Sequence, residues 1–230
     1  MATIVENVQG VKARIARAAR AAGRDPESVT LLAVSKTHAV DRIAQAQAAG
    51  LRAFGENYVQ EAAAKMTALE GMRLAGVEWH LIGPLQSNKT RVAAERFDWV
   101  QTVERVKIAS RLSEQRPAHV PPLNVLIQVN VSGEAAKSGV GVKEVTALAS
   151  AIAALPRLRL RGLMAVPAPG APEEFLKMKH LYDELCGRFG LDTLSMGMSG
   201  DMDAAIAAGA TMVRIGTAIF GQRKPEKSAA

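Results

Sequence analysis

Cysteine is nearly missing from this sequence, and aromatic residues are scarce. One cysteine, Cys186, in 230 residues excludes an intrachain disulfide and any multi-cysteine metal site. Its setting, "LYDELCGRF", is a helical pattern, so it reads as a half-buried structural thiol. Two Trp, two Tyr and five Phe leave few platforms on which unpaired bases could stack. The four histidines are scattered with no paired spacing, which predicts no metal. No run of roughly 18 apolar residues occurs, and the opening "MATIVENVQGVKARIARAARAAGR" mixes charged and apolar residues without a continuous hydrophobic stretch. The expectation is a soluble, cytoplasmic protein with no membrane association. No Gly-Pro-Ser linker divides the chain, so residues 1–222 read as a single domain and 223–230 as a disordered tail.

What is present begins with a net charge of +7, which raises nucleic acid as a partner. The distribution argues otherwise. On the first helical segment Ile4, Val8, Val11 and Ile15 form a core stripe, while Arg17, Arg20 and Arg24 line another face and read as solvated.

Apolar, β-branched runs alternate with longer helical patterns along the whole chain, the grammar of parallel strands joined by crossover helices. Strands are expected at Thr30 to Val34, Ala53 to Phe54, Trp79 to Ile82, Trp99 to Val103, Val125 to Val129, Gly162 to Met164, Thr193 to Met196 and Met212 to Ile215. Between them lie helical segments such as "AVDRIAQAQAAG", "VKEVTALASAIAAL" and "DMDAAIAAGA". Eight such units after a leading helix predict an α/β fold, a single (β/α)8 TIM-type barrel with an extra N-terminal helix; a doubly wound open sheet is the fallback.

In such a barrel chemistry gathers at the carboxyl ends of the strands. Those ends carry Lys36, then Glu56 and Asn57, "GPLQSNK" after His80, Asn130 with "SGEAAKSG", "GMSGDMD", and finally Gly216 and Thr217. The segments after the last two strands have two readings. Ser199 and Gly200, with Gly216 and Thr217, offer small residues, amides and hydroxyls that suit a phosphate. Alternatively Asp201 and Asp203 are first-turn carboxylates and Ser199 is an N-cap.

Lys36 bears on that choice. A lysine at the end of the apolar run "VTLLAV" loses solvation, which favours a neutral amine able to form a Schiff base with an aldehyde; the bland reading is a side chain that snorkels to water. Lys36, a phosphate site and Arg214 together suit an aldehyde-bearing phosphate cofactor, and pyridoxal 5'-phosphate meets that description.

The segments "AVSKTH", "FGENYVQE", "WHLIGPLQSNK", "VNVSGEAAKSG", "RGLMAVP", "LSMGMSGDM" and "VRIGTAIFG" resemble, in order, the pyridoxal phosphate homeostasis protein family, which is similar to the N-terminal barrel domain of alanine racemases. The resemblance runs from about residue 29 to residue 221. It implies that Lys36 carries the cofactor as a Schiff base, that Ser199, Gly200, Gly216 and Thr217 bind its phosphate, and that Arg214 faces the pyridine nitrogen. It also implies that Asn57 and His80 line the same pocket.

A cationic guanidinium opposite the pyridine nitrogen disfavours its protonation and weakens the ring as an electron sink. Alanine racemases add a tyrosine acid/base from a further domain. Here Tyr58 and Tyr182 are the only tyrosines, and both read as packing residues on helices. The expectation is therefore a protein of vitamin B6 homeostasis that holds, buffers or delivers the cofactor, transiently to apoenzymes, and is not an enzyme. A racemase-like enzyme and a basic interaction module are the alternatives. Lys137 reads either as an exposed loop cation or as a second amine that helps move the cofactor on and off. His38 reads as a loop histidine, and His119 and His180 as surface residues. No apolar stripe is left over for an interface, so a monomer is expected.

Overall fold

The computed structural model describes residues 2–72, 76–134 and 136–222; the tail expected to be disordered lies outside the described residues. Among the described residues there are nine strands: β1 (Thr30–Val34), β2 (Ala53–Glu56), β3 (Glu78–Leu81), β4 (Trp99–Val103), β5 (Leu123–Asn130), β6 (Val140–Gly141), β7 (Leu158–Ala165), β8 (Thr193–Ser195) and β9 (Met212–Ile215). Their order is β4-β3-β2-β1-β9-β8-β7-β5, and β4 also pairs with β5, so eight parallel strands close on themselves. The two-residue β6 is an addition at the end of β5, pairing Val129 with Val140. Closure leaves no edge, which an open sheet could not achieve.

The helices are α1 (Ile4–Ala21), α2 (Val40–Ala48), α3 (Val59–Gly71), α4 (Thr90–Arg96), α5 (Val106–Gln115), α6 (Val145–Ala153), α7 (Pro172–Phe189), α8 (Met202–Ala207) and α9 (Thr217–Phe220). They cover the outside of the barrel, and the main core lies between the two layers, where Phe54, Leu81, Val213 and Ile215 from the strands meet Ile43, Met66 and Leu112 from the helices. The expected eight-stranded barrel is therefore the fold. Strand bounds differ mainly at β5 and β7, which are three residues longer or more than the apolar runs alone indicate, because Asn124 and Arg159 take ladder positions that the apolar pattern does not mark and the ladder steps over Arg161 at a register shift.

The leading helix α1 starts at a capping box, with Thr3 accepting from the Glu6 amide and the Glu6 carboxylate accepting from Thr3 N–H. Its stripe of Ile4, Val8, Val11 and Ile15 is buried as the periodicity requires. Its other side is less solvated than expected. Arg17 and Arg20 are exposed, but Arg24, just beyond the helix, donates from Nη1 to the carbonyls of Ile206 (2.7 Å) and Ala210 (2.8 Å), caring for the C-terminal end of α8. Arg14 donates to Ser199 O at 2.9 Å and pairs with Asp203 at 3.0 Å, and Asn7 Nδ2 donates to Ile219 O at 2.9 Å. The extra helix thus ties down the loops after β8 and β9.

Period-two alternation decides what points down the barrel axis. Leu32, Ala53 and Met212 form one interior cluster and Trp99, Leu126 and Met164 another. Stepping by two along β1 from Leu32 reaches Val34 and then Lys36; along β9 from Met212 it reaches Arg214 and Gly216. One strand face therefore delivers both cations to the same end.

Candidate functional site

At the carboxyl end of the strands a cavity of about 430 Å³ is lined by Val34, Lys36, His38, Asn57, Arg214 and the small residues Ser199, Gly200, Gly216 and Thr217, with Ile82, Val166, Met198 and Gly221 completing the wall. That volume is within the usual range for a cofactor site. Seven of the expected site residues are here together: Lys36, Asn57, Ser199, Gly200, Arg214, Gly216 and Thr217.

Backbone geometry explains several placements. Asn57 sits where β2 ends against the loop after β3, and a Cβ on Gly83 would lie 2.2 Å from Asn57 O, so only glycine permits that approach. Gly197 adopts φ +93°, which starts the turn carrying Met198 and Ser199, and a Cβ there would lie 2.5 Å from Ala205 Cβ. Asp201, not Ser199, occupies the N-cap position of α8, and its Oδ1 accepts from Met198 N–H at 2.5 Å. The reading of Ser199 as an N-cap is thus corrected: its side belongs to the cavity.

Arg214 is 5% exposed and donates from Nη1 to Ser195 Oγ (2.9 Å) and from Nη2 to Ala165 O (2.8 Å). Burial pulls the guanidinium down to about 10, with Asp201 opposing, which leaves it cationic at neutral pH. Lys36 is half-buried and is the one lysine lining the cavity among the described residues.

The expectations for two histidines change. His80 does not line the cavity; it is fully buried deeper in the barrel, stacked on Trp99 with ring centroids 5.1 Å apart. Its Nε2 lies 2.7 Å from Glu78 Oε1 and its Nδ1 lies 2.9 Å from Gln101 Nε2. An amide nitrogen can only donate, so Nδ1 accepts and Nε2 carries the proton. Burial holds the imidazole below its ordinary value, with Glu78 opposing. His38, expected as an ordinary loop residue, lines the cavity and stacks on Phe220 with centroids 4.9 Å apart. Its partner is 182 positions away, so no local pattern could have marked it.

Lys137 is placed in a neighbouring cavity of about 340 Å³ with Gln128, Asn130 and Ser138. It is ion-paired to Glu134 at 2.9 Å. The two cavities share Val166 and Met198 in their walls. Of the tyrosines, Tyr182 is buried and donates to Leu191 O at 3.1 Å, while Tyr58 is 60% exposed rather than packed; neither lines the main cavity. Cys186 is half-buried, its Sγ 3.0 Å from Leu191 O, as a structural thiol should be.

The family model of the alanine racemase N-terminal domain matches residues 7–224. A protein of Pseudomonas aeruginosa PAO1 named pyridoxal phosphate homeostasis protein is 58% identical over 228 residues, covering 97% of each chain. The protein of that name in Escherichia coli K12 is 53% identical over 235 residues, covering 99% of this chain and all of its own. The chain belongs to the pyridoxal phosphate homeostasis protein family. Among solved structures, this family member is similar to PipY of Synechococcus elongatus with pyridoxal phosphate bound, at 36% identity and a TM-score of 0.77, covering 90% of this chain and all of that one. It shares its fold, at 20% identity and a TM-score of 0.66, with alanine racemase from Corynebacterium glutamicum, covering 94% of this chain and 61% of the racemase. Among the described residues no helix is long and apolar enough to cross a membrane.

Proposed function

We propose that this chain binds pyridoxal 5'-phosphate in the 430 Å³ cavity, holds it covalently on Lys36 and releases it again, serving cytoplasmic vitamin B6 homeostasis without strong catalytic turnover. The observation that carries the reading is the convergence of a half-buried lysine, a buried arginine and two small-residue loops on one cavity at the barrel mouth. The likeness to PipY, solved with pyridoxal phosphate bound, supports it.

The residues present fit the cofactor. When bound, it supplies an aldehyde that a neutral primary amine captures reversibly with loss of water, and a phosphate ester that needs anion ligands. Lys36 provides the amine. Ser199, Gly200, Gly216 and Thr217 provide amides and hydroxyls, and the tight space at Gly216, where a Cβ would lie 3.2 Å from Val34 O, keeps that wall open. Arg214 donates hydrogen bonds and can accept none, so it complements an unprotonated ring nitrogen. That choice limits stabilisation of negative charge at a substrate carbon, and no tyrosine of this chain lines the cavity to move a proton there.

Purified protein mixed with the cofactor should develop an absorption band near the visible edge that borohydride fixes onto Lys36, located by mass spectrometry. The reading fails if Lys36→Ala gives the same band and the same adduct. His38 in the cavity wall favours a second reading, racemase-like proton transfer at an amino-acid α-carbon. Deuterium incorporation into alanine in heavy water at enzymatic rates, lost in His38→Ala, would establish it.

A further inference from the structure

Helix α3 buries Val59, Ala62, Met66 and Leu69 against the barrel, and on the same side it buries Lys65 at 6% exposure. Nothing local asks for a lysine there; an apolar residue would continue the stripe. Lys65 Nζ meets Glu56 Oε1 and Oε2 at 2.8 and 3.0 Å and Glu61 Oε1 at 2.6 Å, and Glu56 is fully buried. A buried ion pair is seldom more stabilising than a well-packed apolar pair, because both charges must be desolvated, so its presence calls for a role in specificity.

The neighbours of this cluster supply that role. Lys65 Nζ donates to Ser35 O at 2.9 Å, and Glu61 Oε1 accepts from Thr37 N–H at 2.5 Å. Ser35 O and Thr37 N belong to the two peptide units on either side of the Lys36 Cα. Ser35 Oγ is held as well, donating to Glu56 Oε1 at 2.5 Å. Thr37 has φ +65°, alone among the described non-glycine residues in that region, and a β-branched residue keeps such a conformation only where its surroundings over-determine it. The Glu61 carboxylate on its amide is such a constraint.

We propose that Lys65, with Glu56 and Glu61, is a positioning cluster for Lys36: it clamps the peptide units before and after that residue and so aims its amine into the cavity. This rests on the reading of Lys36 as the amine that holds the aldehyde. The cluster touches the backbone around Lys36 and takes no part in bond making, so its loss should slow capture without changing the product.

The test compares Glu61→Ala, Glu61→Gln, Lys65→Met and the double variant Glu61→Ala/Thr37→Gly with the unaltered protein. Two rates are followed. One is borohydride trapping of pyridoxal 5'-phosphate on Lys36; the other is acetylation of Lys36 by acetic anhydride in the ligand-free protein across a pH series. Glu61→Ala and Lys65→Met should slow trapping by about tenfold or more, the scale of a sub-ångström misplacement. Glu61→Gln, whose amide oxygen can still accept from Thr37 N–H, should stay close to the unaltered rate. Glu61→Ala/Thr37→Gly should regain part of the loss, since glycine takes a positive φ without strain. A simple loss of packing would also be restored by glutamine but would gain nothing from glycine at position 37, so the double variant separates the two. Glu61 has a side chain 27% exposed, so Glu61→Ala carries the test if Lys65→Met does not fold. The inference is overturned if folded Glu61→Ala traps and acetylates at the unaltered rate. If the unaltered protein itself traps nothing on Lys36, the reading of Lys36 falls, and acetylation in the ligand-free protein still decides the positioning claim.

Discussion

Arg214, on β9, and Ser195, on β8, are joined inside the barrel by a hydrogen bond of 2.9 Å from Nη1 to Oγ, and this is the upper end of a polar chain that crosses the interior. Ser195 Oγ donates to Gln101 Oε1 at 2.7 Å, Gln101 Nε2 donates to His80 Nδ1 at 2.9 Å, and His80 Nε2 donates to Glu78 Oε1 at 2.7 Å. Every member has a defined donor and acceptor role, so the chain fixes the guanidinium that faces the cavity. Glu78 is half exposed at the opposite face, where the chain meets water.

Removing one link should cost stability. Ser195→Ala leaves a buried Arg214 N–H and the Gln101 carbonyl without that partner, at a cost of about 1–3 kcal/mol. Urea denaturation checks it, and Ser195→Thr, which keeps the hydroxyl, should recover part of the loss.

His80 predicts a pH dependence. Burial depresses its folded-state pKa below the ordinary 6.5, so as pH falls below about 6.5 the unfolded chain binds a proton that the folded chain refuses. Stability from this group is therefore present above that value and lost as pH falls toward the folded pKa, with a limiting slope of about 1.4 kcal/mol per pH unit. Denaturation midpoints between pH 7 and 5 should fall more steeply for the unaltered protein than for His80→Gln; parallel curves would refute the assignment.

Gly83→Ala tests the close approach at Asn57. With Asn57 O only 2.2 Å from the added methyl carbon, one backbone segment must move. A loss of about 1–3 kcal/mol is expected. Cofactor affinity should fall with it, because Asn57 lines the cavity.

Arg24→Ala removes two hydrogen bonds to the carbonyls at the end of α8, and about 1–2 kcal/mol should be lost, discounted because the side chain is only partly buried. Arg24→Lys should recover only part, since one ammonium nitrogen can donate to both oxygens as Nη1 does but gives up the Nη2 bond to Ser28 Oγ. Thermal unfolding reads the difference.

Thr217→Val keeps the shape of a residue at the proposed phosphate loop and removes its hydroxyl. Affinity for pyridoxal 5'-phosphate should drop about tenfold, the scale of one hydrogen bond to a charged group, while affinity for unphosphorylated pyridoxal stays unchanged. Equal losses for both compounds would separate Thr217 from the phosphate.

Much of this molecule follows from short-range pattern. Alternation along β1 and β9 places Lys36, Arg214 and Gly216 at one end, and the helical stripe of Ile4, Val8, Val11 and Ile15 is buried as its spacing requires, because both depend on geometry within a few residues. Ser199, Gly200 and Thr217 are legible for a similar reason, as small residues in the short loops that follow β8 and β9. Tertiary structure alone decided the partners. Asn57 stands just past the end of β2 and His80 within β3, one step of alternation short of the rim, so packing against Trp99 and Gln101 keeps His80 in the core while Gly83 holds Asn57 at the rim. His38 gains its place from Phe220, and Lys65 its meaning from Ser35 and Thr37, contacts that exist only once the barrel has closed. The chain pattern sets which way a side chain leaves its own strand; which charges, rings and carbonyls it then meets is set by closure, since those groups come from distant elements and their burial is a property of the whole fold.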